Sequence, residues 1–562
     1  MFKTSTVKIQ QSKTRGCEFC NAIIQAMNWA NLWQEADQTL FLEALNPTTI
    51  AVDKSKWTKN SETVTLISIN KNHGNRIKQE EPVISPSTLS FITRQLNNCL
   101  TNPHHSNCGP KWDSTTPWPA RMLQITNNTT ITLVPFDATT MPGNFAALSY
   151  CWGDGALLKA HPPLIATAST LPSLQAGIPI ASLPLTLLQS AQIASLLSIR
   201  FIWIDSLCIL QDSPRDWEVE ATKMETVYAK AQLTIIAAAS TSCHSGLEIR
   251  ARLLSNSGYH SPFAPADPID LRGWTYQEEH LSTRYVKFTC DDIQWKCAAG
   301  AVCGCGMPPA EEYTWQWKPS LEPMVRWERI AQKFSARRFT VWSDKLVAVS
   351  SLARRYAVEI GDSGGYVGGL WKWELVSQLA WVYPKGTGRC SREYIAPSWS
   401  WAGINSESPL VWEPKFDWEL AEVVKTGREL VFEGNAFGKI SGAFVKLRGP
   451  LFGCVLEVKD GGVLRVEVND TPLQTTVRSA ELDCMGQGAD CPHFFEKKKC
   501  HVLLIGAVTR MINECWLYGL ILGTLDGGKG YQRLGLLSLI TDREAAPKRE
   551  DLKQWAINVT IY

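Results

Sequence analysis

The chain lacks the motifs that most often announce nucleotide or acyl chemistry. It has no phosphate-cradling Walker loop, no nucleophile elbow and no glycine fingerprint for a dinucleotide. Charge of one sign is lacking too: the formal net charge is +2, so there is no general pull toward nucleic acid or anionic membrane, and neither is expected as a partner. A long uninterrupted apolar run is also missing. The most apolar late stretch, "HVLLIGAVTRMINECWLYGLILGTL", is broken by Arg510, Asn513 and Glu514. These are costly in lipid, so the stretch reads as two buried strands and no membrane span is expected. The opening "MFKTSTVKIQQSKTRG" is polar, without the apolar core of a secretory signal. The expected compartment is the cytosol, where the 17 cysteines read as mostly reduced thiols. No repeat of fixed period is visible.

What is present indicates a folded chain of more than one domain. Hydrophobic residues make up 44% of 562 and charged residues 20%, and that length exceeds a single ordinary core. Residues 1–110 carry a cysteine pair, an amphipathic segment from Ala22 to Ala36 and a linker-like stretch, "NPHHSNCGPKWDSTTPWP". Residues 118–300 alternate strand and helix signals. "ARMLQIT" and "TTITLVPF" flank Asn127-Asn128 as a hairpin. "NFAALSY", "RFIWID" and "QLTIIAAAS" read as strands, with helices in "LPLTLLQSAQIASLLSIR" and "RDWEVEATKMETVYAKA". Strands with intervening helices predict parallel pairing in a sheet covered on both faces. Residues 310–562 open with two helices and become strand-rich, with a hairpin signal at "DGG".

In a parallel α/β sheet, ligands bind where loops leave the carboxyl ends of strands. One such loop carries Ser149, Tyr150, Cys151, Trp152, Gly153 and Asp154; another carries Asp205, Ser206, Cys208, Gln211 and Asp212. These loops are expected to meet. On the helix after "SPRD", Trp217, Ala221, Met224, Tyr228 and Ala231 form one stripe, with Glu220 about 60° to its side next to Val227. Glu220 is thus placed at the edge of the buried face, available for acid/base work, or it is one of the acids that favour a helix start. Asp212 or Ser213 serves as cap. Asp205 is either a site carboxylate or a turn-forming aspartate. Cys208 has no histidine near it in sequence and reads mainly as packing. A third cluster, "LRGWTYQEEHLSTRYVKF", offers Arg272 and Gln277; the arginine suits an anion or an ion pair with Glu278 or Glu279.

Metal readings are weaker. Cys17 and Cys20 have zinc-ligand spacing without a second pair at the usual distance. Cys297, Cys303 and Cys305, and Cys491, His493, Cys500 and His501, have the right ligand types at irregular spacing. No metal and no certain cofactor is expected.

"ALSYCWGD", then "IWIDSLCILQDSPRDWEVEATKMETVYAKAQLTIIAAAS", then "RGWTYQEEHLSTRYVKF", in that order, resemble the heterokaryon-incompatibility (HET) domain of filamentous fungi. "SDKLVAVSSLARRY", "YVGGLWKWEL" and "YIAPSWSWAG" resemble the tail of large HET-domain proteins, so the likeness spans about 118–410, with the domain core at about 145–285. The resemblance implies self/non-self recognition and the triggering of cell death. It also implies a mostly parallel TIR/flavodoxin-like α/β sheet, beside an α+β, strand-rich C-terminal region. Some TIR domains hydrolyse NAD with a glutamate on a helix shortly after a tryptophan. By that likeness NAD would be the substrate and Glu220 and Asp205 catalytic. Ser149, Tyr150, Trp152, Gly153, Asp154, Cys208, Gln211, Arg272 and Gln277 would then line the binding site. Here Trp217 and Glu220 stand three apart, one fewer than in the TIR pattern. The rival reading is a non-catalytic module that self-associates or binds another incompatibility protein, for which a surface rich in the 23 tryptophans would serve. A metal-dependent hydrolase or redox protein built on the cysteine groups is the remote alternative.

Overall fold

The structure, a computed structural model, describes residues 2–5, 39–46, 49–53, 65–68, 83–109, 118–136, 144–249, 266–290 and 292–304. From 322 to 562 it describes all but 363, 385–386, 392, 432–434, 460–461, 470, 485–496, 512–513, 526–527 and 529. The segment Ala22–Ala36 and the Cys17–Cys20 pair lie outside the described residues. The chain divides into two compact units, Met1–Asp270 with Leu281–Trp315, and Leu271–His280 with Gln316–Tyr562.

In the first unit, β1 (Phe2–Ser5), β2 (Thr39–Asn46), β3 (Thr49–Asp53) and β4 (Thr65–Ser68) form a small antiparallel sheet. A helix, α1 (Pro86–Thr101), follows. The larger sheet has nine strands. It begins with β5 (Arg121–Thr126) and β6 (Thr130–Pro135), an antiparallel hairpin. Asn127 and Asn128 turn this hairpin with φ of 50° and 57°, the pair of left-handed residues that matches strand twist in a two-residue loop.

The centre is parallel. β7 (Phe145–Ser149) pairs with β9 (Phe201–Trp203) on one side and β10 (Leu233–Ile236) on the other, and β11 (Arg284–Phe288) continues beyond β10. Taken in chain order, these strands lie 2-1-3-4 across the sheet. Antiparallel strands flank them: β5, β6 and β8 (Ile178–Pro179) on one edge, β12 (Ile293–Cys297) and β13 (Gly300–Cys303) on the other. Every residue of β7, β10 and β11 is buried, which accounts for the apolar runs without alternation in β7 and β10.

The connections carry α2 (Gly155–Ala160), α3 (Leu171–Ala176), α4 (Leu185–Leu196), α5 (Asp205–Cys208) and α6 (Pro214–Lys230). Ser213 caps α6 by accepting the Asp216 amide. Ala221, Met224, Val227 and Tyr228 form the buried face of α6, and the Tyr228 hydroxyl donates to the Leu148 carbonyl of β7 at 3.1 Å.

The second unit contains α7 (Gly273–Leu281, up to His280), α8 (Pro323–Ser335) and α9 (Lys345–Ile360). Trp327, Tyr356, Tyr366 and Trp371 pack edge to face or tilted, with ring centroids 5.1–5.8 Å apart. The Gly369 carbonyl accepts both the Trp327 and Trp401 indoles at 3.0 Å. Gly369 itself has φ of 92°, and a Cβ there would meet Trp401 at 2.9 Å, so glycine is required. Among the described residues the tryptophans are buried or half-buried with one exception. Trp203, Trp295, Trp327, Trp371, Trp381, Trp399 and Trp401 are fully buried, and among the described residues Trp373 alone is exposed.

The C-terminal strands close into a ring. Ile440–Lys459 pairs with Ala556–Ile561 along its first half and with Lys497–Met511 along its second. The ladder runs on through Glu514–Thr524 and Tyr531–Asp542 and returns to Ala556–Ile561 by the parallel pair Tyr531↔Ile561. The late apolar stretch is therefore two paired strands, as its interruptions imply. No described helix is long and apolar enough to cross a membrane.

Arg533 is pinned inside this unit. Its guanidinium meets Asp483 at 2.8 and 3.0 Å, donates to the Leu379 and Trp381 carbonyls and stacks 3.6 Å over Trp381. Arg533→Leu strands a buried carboxylate and is expected to lower unfolding free energy by about 3–5 kcal/mol. Arg533→Leu/Asp483→Leu should recover part of this loss; urea denaturation of both variants is the measurement.

Candidate functional site

Loops leaving β7, β9 and β10 meet at the carboxyl end of the parallel strands. The Tyr150 hydroxyl donates to Ser206 at 2.8 Å, and the Trp152 indole donates to the Asp205 carboxylate at 2.8 Å. Asp205 also accepts the Ser206 amide at 2.7 Å, so it braces the first turn of α5. From the third loop, the Cys243 amide donates to the Trp152 carbonyl at 3.2 Å. Gly153 has φ of 123°, and a Cβ there would meet Ser242 at 3.2 Å, so only glycine lets these loops approach so closely. Ser149 is buried with its hydroxyl unpartnered among the described residues. Trp152 and Asp205 are half-buried and form the accessible part of the mouth.

Glu220 stands apart from this group. It is 2% exposed; one carboxylate oxygen accepts the Ala120 amide at 3.0 Å and the other meets Lys223 at 2.7 Å. Burial is thus complete, whereas the helix pattern places Glu220 at an edge; the residues ahead of β5 cover it. Beside it, Arg121 pairs with Asp216 and donates to the Cys208 carbonyl at 2.8 Å, and Asp216 also accepts the Leu210 amide at 2.8 Å. Cys208 is fully buried. Burial raises its thiol to about 12, with Glu220 and Asp205 both adding to the rise, so it supplies no thiolate nucleophile near neutral pH.

Residues 145–262 match the family model for heterokaryon incompatibility protein (HET). The chain carries a HET domain. No curated protein and no solved structure matches. The HET match opens at the first residue of β7 and includes β9, α6 and β10, hence all three loops of the mouth.

Asp154, Gln211 and Asp212 have structural employment. Asp154 caps α2 through the Leu157 amide at 2.7 Å. The Gln211 amide group donates to the Asp205 and Ile209 carbonyls at 3.1 and 3.0 Å, and Asp212 accepts the Ala168 amide at 2.9 Å. Arg272 and Gln277 fall in the second unit. There the Arg272 carbonyl accepts Thr275 and Arg337 at 3.0 Å. The Gln277 side chain is 0% exposed, with neither amide atom partnered among the described residues. An open groove of about 560 Å³ lies on the HET unit between Pro162, Pro163, Leu164, Leu183 and His244, and none of the candidate residues lines it.

Among the cysteine groups, the Cys303 thiol donates to Asp292 at 3.1 Å instead of joining Cys297. Cys500 and His501 are successive strand residues, which places their side chains on opposite faces. Cys305, Cys491 and His493 lie outside the described residues. Sequence reading placed Ser206 in its loop without its role as the Tyr150 acceptor, and it missed Arg121, Lys223 and Ala120 around α6, which give no local signal except the buried flank of that helix.

Glu220→Ala is expected to lower unfolding free energy by about 1–3 kcal/mol, and Glu220→Gln by less, because its carbonyl oxygen still accepts from Ala120. Trp152→Phe and Asp205→Ala, singly and together, should show a coupling of about 0.5–3 kcal/mol by chemical denaturation.

Proposed function

We propose that the chain is an effector of heterokaryon incompatibility in fungal self/non-self recognition, and that it promotes cell death from the cytosol. Its HET domain acts by association, with copies of itself or with another incompatibility protein, without turning over a substrate. The engagement of the two candidate carboxylates carries this reading. Glu220 is closed off by Ala120 and Lys223, and Asp205 is spent on the Trp152 indole and the Ser206 amide. A general acid or base must be within reach of a substrate proton, and Glu220, buried and ion-paired, is not.

TIR-like NAD hydrolysis is the second reading, and a specific observation favours it. The parallel strands run 2-1-3-4, the order of flavodoxin-like sheets, whose switch point lies between the first and third strands. Here that point falls between β7 and β10, next to the half-buried Trp152. In that reading Trp152 or Tyr150 stacks on a ring, and Asp205 and Glu220 serve the ribose or a proton, with the Lys223 pair opened.

NAD is followed over time with the purified full chain, dilute and crowded, alongside Asp205→Asn and Glu220→Gln, while toxicity is scored in cells. Unchanged NAD with persistent toxicity in wild type and Asp205→Asn is the expected result. NAD loss abolished by either substitution with an unaltered melting curve would establish the hydrolase instead. Strictly monomeric behaviour under conditions that kill cells would overturn association.

A further inference from the structure

Four metal-ligand side chains converge at the edge of the large sheet of the first unit, away from the strand-end mouth. Cys99 lies in the last turn of α1. Asn102 then caps a short 3₁₀ helix, Pro103–Cys108, by accepting the His104 amide at 3.0 Å. This reversal returns His105 and Cys108 toward Cys99. Cys297, the last residue of β12, arrives from a point 192 positions beyond His105. The three sulfurs and one imidazole nitrogen all lie within 4.8 Å of one another. His105 Nδ1 is 3.7 Å from the Cys108 sulfur and 3.5 Å from the Cys297 sulfur. A tetrahedral ion with ligands at about 2.0–2.3 Å separates its ligand atoms by about 3.5–3.8 Å, and these distances match.

The geometry points to a structural zinc site formed by Cys99, His105, Cys108 and Cys297. Three soft thiolates and one imidazole make a zinc donor set, and four protein ligands close the coordination sphere, leaving no position for a reacting water. The surroundings fit the charge. Zinc with three thiolates carries one net negative charge, and Arg284, 5% exposed, donates its Nε to the Cys99 sulfur at 3.2 Å. Its other nitrogens donate to the Gln232 carbonyl at 2.9 Å and to the Cys108 carbonyl. Among the described residues no acidic side chain pairs with Arg284, so a zinc–thiolate anion supplies the counter-charge this buried cation otherwise lacks. Since Cys99, Cys108 and Cys297 are nearly inaccessible, the ion's work is to fasten α1 and the 3₁₀ turn to β12. It does not depend on what the HET domain does.

The full chain is purified without chelator and its metals are measured by mass spectrometry. One zinc per chain is expected. It should be lost in Cys108→Ser and Cys297→Ser, kept in His105→Cys, and kept in Cys17→Ser/Cys20→Ser. Cobalt in place of zinc should give the strong thiolate-to-metal charge-transfer band and tetrahedral d–d bands, both absent in Cys297→Ser. A folded chain that takes up no zinc would overturn the assignment. So would zinc undiminished in Cys108→Ser, zinc lost only with Cys17 and Cys20, iron in its place, or a Cys99–Cys297 disulfide in the purified protein.

Discussion

Parallel hydrogen bonding on both sides of β7 is the constraint from which the first unit follows. A strand paired in parallel with β9 and β10 forces every connection to travel back across a face of the sheet. It also sends all three strand ends toward the same side. Tyr150, Trp152, Asp205, Ser206 and Cys243 therefore converge although their sequence positions are widely spread. The alanines after β10 and the glycine after Trp152 keep the loops thin enough to touch. Antiparallel pairing at the same positions would scatter these residues to opposite ends.

Desolvation then decides what each acidic side chain does. A carboxylate at 2% exposure needs fixed partners, and Glu220 has them in a backbone amide 100 positions away and in Lys223 on its own helix. Asp205, less buried, is held by an indole. Cys208 is fully buried, and that burial keeps its thiol protonated. The polar residues around the end of β9 thus form two separate sets, one facing β7 and one facing β5, where a reading along the chain makes them one.

Local patterns made much of this legible. The apolar runs of β7 and β10 announce strands buried on both faces, Asn127-Asn128 announces its turn, and the stripe on α6 marks the face that packs. What escaped depends on long-range pairing. Nothing near Glu220 reveals that Ala120 will cover it, and nothing near "NPHHSNC" indicates that Cys297 will arrive beside it, since register between distant strands leaves no local mark. The tryptophans are numerous enough to suggest a sticky exterior, yet seven of them fill cores completely, and the Trp327 and Trp401 indoles there share the Gly369 carbonyl.

The family match stops at residue 262, but the sheet does not. β10 takes its outer parallel partner from β11, at Arg284–Phe288, and β9 is covered on its far side by β5, at Arg121–Thr126. A fragment cut at the borders of the match would bare two hydrogen-bonding flanks at once and offer them to any neighbouring chain. The cooperative folding unit therefore extends on both sides of the stretch by which the family is recognised.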